Sequence, residues 1–350
     1  MIPEGFVPAV TAWFRENGRV LPWRAGRDPY RIWISEIMLQ QTRIEAVIPY
    51  YHRFLERLPS VAALAACPED ELLKLWEGLG YYSRARNLKK AAEIITSRFG
   101  GEMPHTAKEL AALPGIVDYT AGAIASIAFG EPAPAVDGNV LRVMTRVLGD
   151  ESDIAQPAVK KRFTALLREV YPIGEKAALL TEGIMEIGER VCVPNAAPRC
   201  AFCPLRGTCV AFREGKTESL PVKSAKKARR VEKMTVFVLS SSGRYALCKR
   251  EEPGLLAGMW EFYHLPGHLS KAAAKKALER EGFAPITIAP CGEARHLFTH
   301  IEWEMTGFSA EVANALPTLA WKTRDEIERD CAIPNAFRHF RKQMKGKDPL

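Results

Sequence analysis

The sequence has no apolar run near the roughly 20 residues a membrane-crossing helix requires. It also has no basic segment followed by an apolar stretch at its start. Neither a membrane span nor a secretory leader is therefore expected. Internal repeats and low-complexity tracts are absent. Cysteine is sparse, eight among 350 residues, and Cys67, Cys248, Cys291 and Cys331 are scattered as core or surface thiols. Nothing points to an oxidising compartment, so a reducing cytoplasm is the expected location. What is present is ordinary globular material, 47% apolar and 26% charged, in a length that suits two or three domains. The net charge of +8 favours a polyanionic partner without naming one.

The other four cysteines crowd together as Cys192, Cys200, Cys203 and Cys209, spaced C-x7-C-x2-C-x5-C, with no histidine among them. Soft thiolates this close are placed to share one zinc ion or iron–sulfur cluster. Two disulfides are the alternative, disfavoured by the compartment.

Ahead of the cysteines the pattern is helical. Asp28-Pro29 supplies an N-cap and a favoured first residue for a helix expected from Tyr30 to about Ile44. Glu36 stands in it among Ile32, Trp33, Ile34, Ile37 and Met38. Burial there lifts a carboxyl towards proton-donor use; an acid on a narrow polar face is the plainer reading. Gly78-Leu79-Gly80-Tyr81-Tyr82, before an arginine-bearing helix, is either a wedge for a base stack or a helix-joining turn. Residues 106–129 read helix, Pro114-Gly115-Ile116-Val117 turn, helix, a hairpin able to present N–H groups to phosphate or simply to join two helices. Asp137 is placed to cap the helix 141–148, where dipole and N–H donors hold a carboxylate ionised. Residues 213–232 are polar and basic and read as an exposed linker. Strand patterns then begin at Met234, with further strands at 245–248, 285–289, 297–308 and 318–321 and helices at 270–282, 323–329 and from Asn335.

Several motifs coincide in order along nearly the whole chain. They are Leu21-Pro-Trp-Arg24, Ser35-Glu-Ile-Met-Leu-Gln-Gln-Thr42, Gly78-Leu-Gly-Tyr-Tyr82, Leu113-Pro-Gly115, Ala135-Val-Asp-Gly-Asn139 and the cysteine stretch. Later come Gly254-Leu-Leu-Ala-Gly-Met-Trp-Glu-Phe262 and Phe298-Thr-His300. In these the chain resembles the adenine DNA glycosylases of the MutY type, which remove adenine mispaired with 8-oxoguanine in duplex DNA. The resemblance implies an all-α helix-hairpin-helix catalytic region over residues 1–212, with a six-helix barrel, the hairpin 106–129 and an iron–sulfur loop 192–209. The linker 213–232 and an α+β Nudix-like domain 233–350 that reads 8-oxoguanine complete it. It implies a [4Fe–4S] cluster on Cys192, Cys200, Cys203 and Cys209, in a loop that contacts DNA with Arg199 and Arg206 as phosphate candidates.

For the chemistry, the resemblance makes Glu36 the general acid and Asp137 the carboxylate that stabilises the oxocarbenium-like sugar, with Tyr119 and Asn139 in support. Trp23, Arg24 and Glu182 match the pocket for the extruded adenine. Gln41 and Tyr81 match intercalating residues, Thr42 and Leu79 match contacts to 8-oxoguanine, and Thr299 and His300 belong to the lesion-reading tip. Gly115 and Val117 fall on the DNA-backbone hairpin. The related endonuclease III-type enzymes carry a nucleophilic lysine where this chain has Tyr119, so a monofunctional glycosylase is expected. No Nudix box is present, so no pyrophosphatase activity is expected. The partner is DNA with an A:8-oxoguanine or A:G mismatch, met by a monomer without membrane association.

Three departures stand out. The first cysteine gap is seven residues where six is commoner, Thr299 replaces a serine, and Val117 replaces the second hairpin glycine. If that last position requires positive φ, a β-branched residue is strained there and phosphate binding weakens. Two alternatives follow: an endonuclease III-like enzyme for oxidised pyrimidines, or a weakly catalytic iron–sulfur DNA-binding protein.

Overall fold

The computed structural model describes residues 1–194, 196–224, 228–251 and 254–344. Its helices up to the cysteine loop are α1 (Phe6–Asn17), α2 (Pro29–Leu39), α3 (Ile44–Arg57), α4 (Val61–Ala66), α5 (Glu69–Leu75), α6 (Ser83–Phe99), α7 (Ala107–Ala111), α8 (Asp118–Phe129), α9 (Gly138–Leu148), α10 (Pro157–Val170) and α11 (Glu175–Arg190). The short α12 (Val210–Arg213) follows the cysteines. Then come β1 (Arg230–Ser241), β2 (Arg244–Lys249), β3 (Trp260–Pro266), α13 (Lys271–Arg280), β4 (Pro285–Leu297), β5 (Ile301–Val312), β6 (Ala320–Lys322), α14 (Arg324–Asp330) and α15 (Arg338–Arg341). The chain divides into two compact units, 1–66 with 87–225, and 67–86 with 226–350.

The first unit is helical. Its core gathers Phe6 and Val10 of α1, Val140, Val143 and Met144 of α9, Phe163 and Leu167 of α10, and Leu180, Ile184 and Ile187 of α11. Helix α11 packs against α1, α8 and α9 and is the central post of the unit. Close approach is possible because Gly183 faces α1 and Gly188 faces α9. A Cβ would fall 2.7 Å from Val10 Cγ1 at the first and 2.7 Å from Asn139 Cβ at the second.

Asp28 caps α2 by accepting from the Arg31 N–H at 3.1 Å, as its position before Pro29 predicts. The helix ends at Leu39, five residues short of the expected Ile44. Gln41 takes φ 59° and breaks it, and Ile44 opens α3 in a new direction. Apolar periodicity runs across this break and carries no sign of it.

The polar segment after Phe212 is mostly exposed, as expected, but is tied down at several points. Leu220 is buried and its carbonyl accepts from Arg146 Nε at 2.8 Å. The Val222 carbonyl accepts from the Ile154 N–H at 3.0 Å, and Ser224 bonds to Asp153. Strand β1 claims residues from Arg230 onward, and Lys226 and Lys227 lie outside the described residues.

In the second unit six strands form one sheet in the order β4-β5-β1-β3-β2-β6. The pair β1–β5 is parallel, and the other neighbours are antiparallel. Alternation along β1 sends Val236 and Val238 to one face with Phe262, Trp303, Phe337 and Phe340, and Phe237 and Leu239 to the other with Leu278 and Phe308. Covered on both faces, β1 is buried continuously from Met234 to Leu239. Strand β3 was not expected, because Trp260 to Pro266 mixes polar and aromatic residues without clean alternation.

Candidate active site

Helix α2 delivers Glu36 into the first unit with only 6% of its surface exposed, as the apolar flanks predict. Helix α8 opposes α2, and its second residue, Tyr119, donates from its hydroxyl to Glu36 Oε2 at 2.7 Å. Burial pushes the Glu36 carboxyl up to about 7; the Tyr119 bond opposes this, Asp137 and Glu182 add to it, and Arg24 reduces it. Burial likewise raises the Tyr119 hydroxyl, which therefore keeps its proton as a donor.

Asp137 caps α9, accepting from the Val140 N–H at 2.7 Å and from Asn139 Nδ2 at 3.0 Å. Its expected ionisation is only partly matched. Burial raises its carboxyl above the ordinary carboxylate range, against the pull of the Val140 and Asn139 donors and of Arg142. Burial and the capping donors thus act on this carboxyl in opposite directions. Asn139 in turn accepts from Arg142 at 2.9 Å, and Arg142 also donates to the carbonyls of Cys192 and Gly188, each at 2.6 Å.

One cleft of about 380 Å³ takes in Glu36, Asp137, Tyr119 and Asn139 together with Trp23, Arg24, Glu182, Gln41 and Thr42. That is the size of an ordinary small-ligand pocket. Arg24 donates to Glu182 Oε1 at 2.8 Å. Trp23 is buried and meets Tyr51 edge-on at 5.4 Å. The sequence reading missed Glu186, which lines the same cleft from α11. Its spacing, one helical turn beyond Glu182, was the available signal.

The remaining candidates lie elsewhere. Leu79, Tyr81, Thr299 and His300 line a second cavity of about 500 Å³, which belongs to the other unit, with His296, Phe298 and Leu256. Tyr81 Oη and Thr299 Oγ1 stand 3.4 Å apart. Phe298 to Ile301 is a turn between β4 and β5, closed by a bond from the Phe298 N–H to the Ile301 carbonyl at 2.8 Å. Gln41, Tyr81 and Leu256 all hold positive φ without being glycine, a strain that concentrates at functional surfaces.

In the hairpin, Gly115 has φ 77°, and a Cβ there would fall 2.6 Å from Asn87 Cβ. Val117 does not share that conformation. It is the N-cap residue of α8 at φ −86°, ψ 165°, with an exposed side chain. The strain anticipated for a β-branched residue is therefore absent, and with it the main reason to expect a damaged hairpin.

Cys192, Cys200, Cys203 and Cys209 line one small cavity with Val143, Arg146 and Leu205, and none forms a disulfide. Arg146 donates to Cys192 Sγ at 3.3 Å. Among the described residues no group of three or more His, Cys, Asp and Glu side chains is arranged to hold a metal ion. What favours a sulfur-ligated iron centre is the donor chemistry alone, four thiols lining one cavity with no histidine or carboxylate among its lining residues. Arg199 and Arg206 are exposed on this loop, and Arg206 stacks over Phe212 at 4.7 Å.

A hairpin-bearing helical unit whose buried acid faces a second carboxylate in one cleft defines a base-excision DNA glycosylase. Residues 34–169 match the family model of the HhH-GPD superfamily of base excision DNA repair proteins, and residues 235–343 match that of the NUDIX domain. The human adenine DNA glycosylase is 31% identical over 98% of this chain and 74% of its own length. Two solved structures are similar over the helical part. One is a thermostable thymine-DNA glycosylase (29% identity, TM-score 0.54, 60% of this chain and 95% of that one). The other is endonuclease III in a non-covalent DNA complex (25% identity, TM-score 0.50, 61% and 99%). The chain belongs to the adenine DNA glycosylase family and hydrolyses N-glycosidic bonds in base excision repair. Among the described residues no helix is long and apolar enough to cross a membrane.

Proposed function

We propose that the chain removes adenine paired with 8-oxoguanine, or with guanine, as a monofunctional glycosylase. The observation that carries the assignment is Glu36, a buried carboxyl raised to about 7 in the same cleft as Asp137. Adenine leaves poorly until N7 is protonated, and C1′ gains positive charge as it departs, so one acid and one anion are required. Of the two carboxyls, Asp137 has a backbone N–H and an amide donor for its ionised form, whereas Glu36 has the Tyr119 hydroxyl. The proton therefore belongs on Glu36 and the charge on Asp137. Asn139 positions Asp137, and its amide is available to orient water. Tyr119 offers no amine for a Schiff base, which supports hydrolysis without strand cleavage.

Base extrusion brings adenine to the cleft, where Trp23 supplies an apolar wall and the Arg24–Glu182 pair supplies polar contacts. The carboxylate of Glu182 suits the exocyclic amine, a hydrogen-bond donor. The cavity bearing Leu79, Tyr81, Thr299 and His300 reads the 8-oxoguanine, and Gln41 and Tyr81 enter the stack beside it. Gly115, Val117, Arg199 and Arg206 meet the DNA backbone. Cys192, Cys200, Cys203 and Cys209 would hold a [4Fe–4S] cluster, whose contribution is to shape that loop rather than to react.

Single-turnover base release from A:8-oxoguanine, A:G and A:C duplexes tests the reading. The expected order places A:8-oxoguanine first, with Glu36→Gln inactive. Base release that survives Glu36→Gln would remove Glu36 from its role. Efficient strand cleavage without base or heat would overturn the monofunctional assignment.

A further inference from the structure

Glu186 lines the cleft from α11 and has no part in the chemistry proposed above. Glu186 is 1% exposed, yet it is held ionised, its carboxyl drawn below the usual range by Arg19 and Arg24 against the cost of burial. Its Oε1 accepts from Arg19 Nε at 2.6 Å, and its Oε2 accepts from Arg19 Nη2 and Arg24 Nη2, both at 3.0 Å. Arg24 is fixed on every side. Its Nε donates to Glu182 Oε1 at 2.8 Å, its Nη1 to the Arg19 carbonyl at 3.1 Å, and its guanidinium lies over the Phe14 ring at 4.9 Å. Among the described residues Glu182 Oε2 has no hydrogen-bond partner, and Glu182 lines the cleft.

A free arginine in a cleft with Glu36, Asp137, Glu182 and Glu189 has several carboxylates to choose from. A guanidinium that swung to Glu36 or Asp137 would hold the acid ionised or neutralise the anion the sugar needs. Glu186 prevents this by occupying Nη2 of Arg24 from below, with Arg19 closing the fork. We propose that Glu186 and Arg19 are positioning residues for base discrimination: they lock Arg24, which leaves Glu182 Oε2 to accept from the exocyclic amine of adenine. The proposal rests on the assignment of Arg24 and Glu182 to the adenine pocket made above.

The test compares adenine with unsubstituted purine, each opposite 8-oxoguanine, in single-turnover base release. Both bases carry the N7 that takes the proton, but only adenine has the amine. Glu186→Gln is expected to slow adenine release roughly tenfold to a hundredfold, the effect of one misaligned charge-assisted hydrogen bond. Purine release should change within about threefold. Arg19→Lys, which keeps the charge of a partly exposed residue but loses its fork, should show a smaller loss with the same selectivity. It also covers the case in which Glu186→Gln does not fold, which thermal melting of both variants reports. Equal losses on the two bases, or no loss on adenine, would overturn the proposal. Glu182→Gln separates the two levels. Selective loss there with unselective loss at Glu186 sinks the positioning role alone, while no loss at Glu182 sinks the pocket assignment beneath it.

Discussion

The hydroxyl of Tyr119 donates to Glu36 Oε2 at 2.7 Å, joining α8, the helix after the hairpin, to the acid carried by α2. The bond favours the ionised form of Glu36 and opposes the rise that burial imposes. Tyr119→Phe should therefore lift the Glu36 carboxyl further, and the alkaline limb of the single-turnover pH profile should move to higher pH. An alkaline limb that stays in place would mean that Glu36 does not set it.

Glu36→Gln should abolish catalysis and stabilise the fold at neutral pH. The carboxyl sits near 7 in the folded protein against an ordinary 4.5. Below the lower value both states hold the proton, and the substitution has no electrostatic effect. Between the two the unfolded state ionises first, so the wild-type chain loses stability as pH rises, by about 3 kcal/mol once both values are passed. Chemical denaturation of the two proteins at pH 4 and pH 8 checks this. A gain confined to low pH would contradict the sign.

The hairpin separates two neighbouring positions that the sequence had treated alike. Gly115→Ala meets both a left-handed backbone and the Asn87 side chain, and should cost about 1–3 kcal/mol of stability with a loss of DNA affinity. Val117→Gly changes an extended, exposed cap and should cost less than about 1 kcal/mol, leaving affinity within about twofold. Thermal melting and fluorescence anisotropy on duplex DNA give both quantities. A large rise in affinity for Val117→Gly would restore the idea that valine obstructs phosphate.

For the cysteine loop, purification under anaerobic conditions should yield iron and acid-labile sulfide in equal amounts. Cys200→Ser should lose both, together with DNA affinity, while far-ultraviolet circular dichroism keeps most of its helical signal. Zinc in place of iron and sulfide would exclude the cluster.

In the cavity of the second unit, proposed above to read the lesion, Thr299→Ala removes the hydroxyl that stands 3.4 Å from Tyr81 Oη. The rate advantage of A:8-oxoguanine over A:G should shrink by roughly three- to tenfold, the worth of one hydrogen bond. An unchanged ratio would move recognition off this residue.

Much of this was legible because it rests on local rules. Asp28-Pro29 starts α2, Asp137 starts α9, and the apolar flanks of Glu36 foretell its burial. What escaped depends on distant partners. Burial lifts the Asp137 carboxyl against its capping donors, and a helix-capping position does not disclose how deeply the fold will bury the group. Glu186 looked like one more acid on a helix until α11 set it against Arg19 and Arg24. The break at Gln41 and the extended cap at Val117 are single backbone angles, for which apolar periodicity has no signal.

Arg142 grips the side chain of Asn139 with one hand and the carbonyls of Gly188 and Cys192 with the other. The loop and the Asp137 side of the cleft thus share a hinge pin, whereas Glu36 hangs from α2 and is not touched by it. A chain whose cysteine loop came apart would still have its acid in place but would let the opposing anion drift. Such an enzyme would admit the right base and stall at the bond.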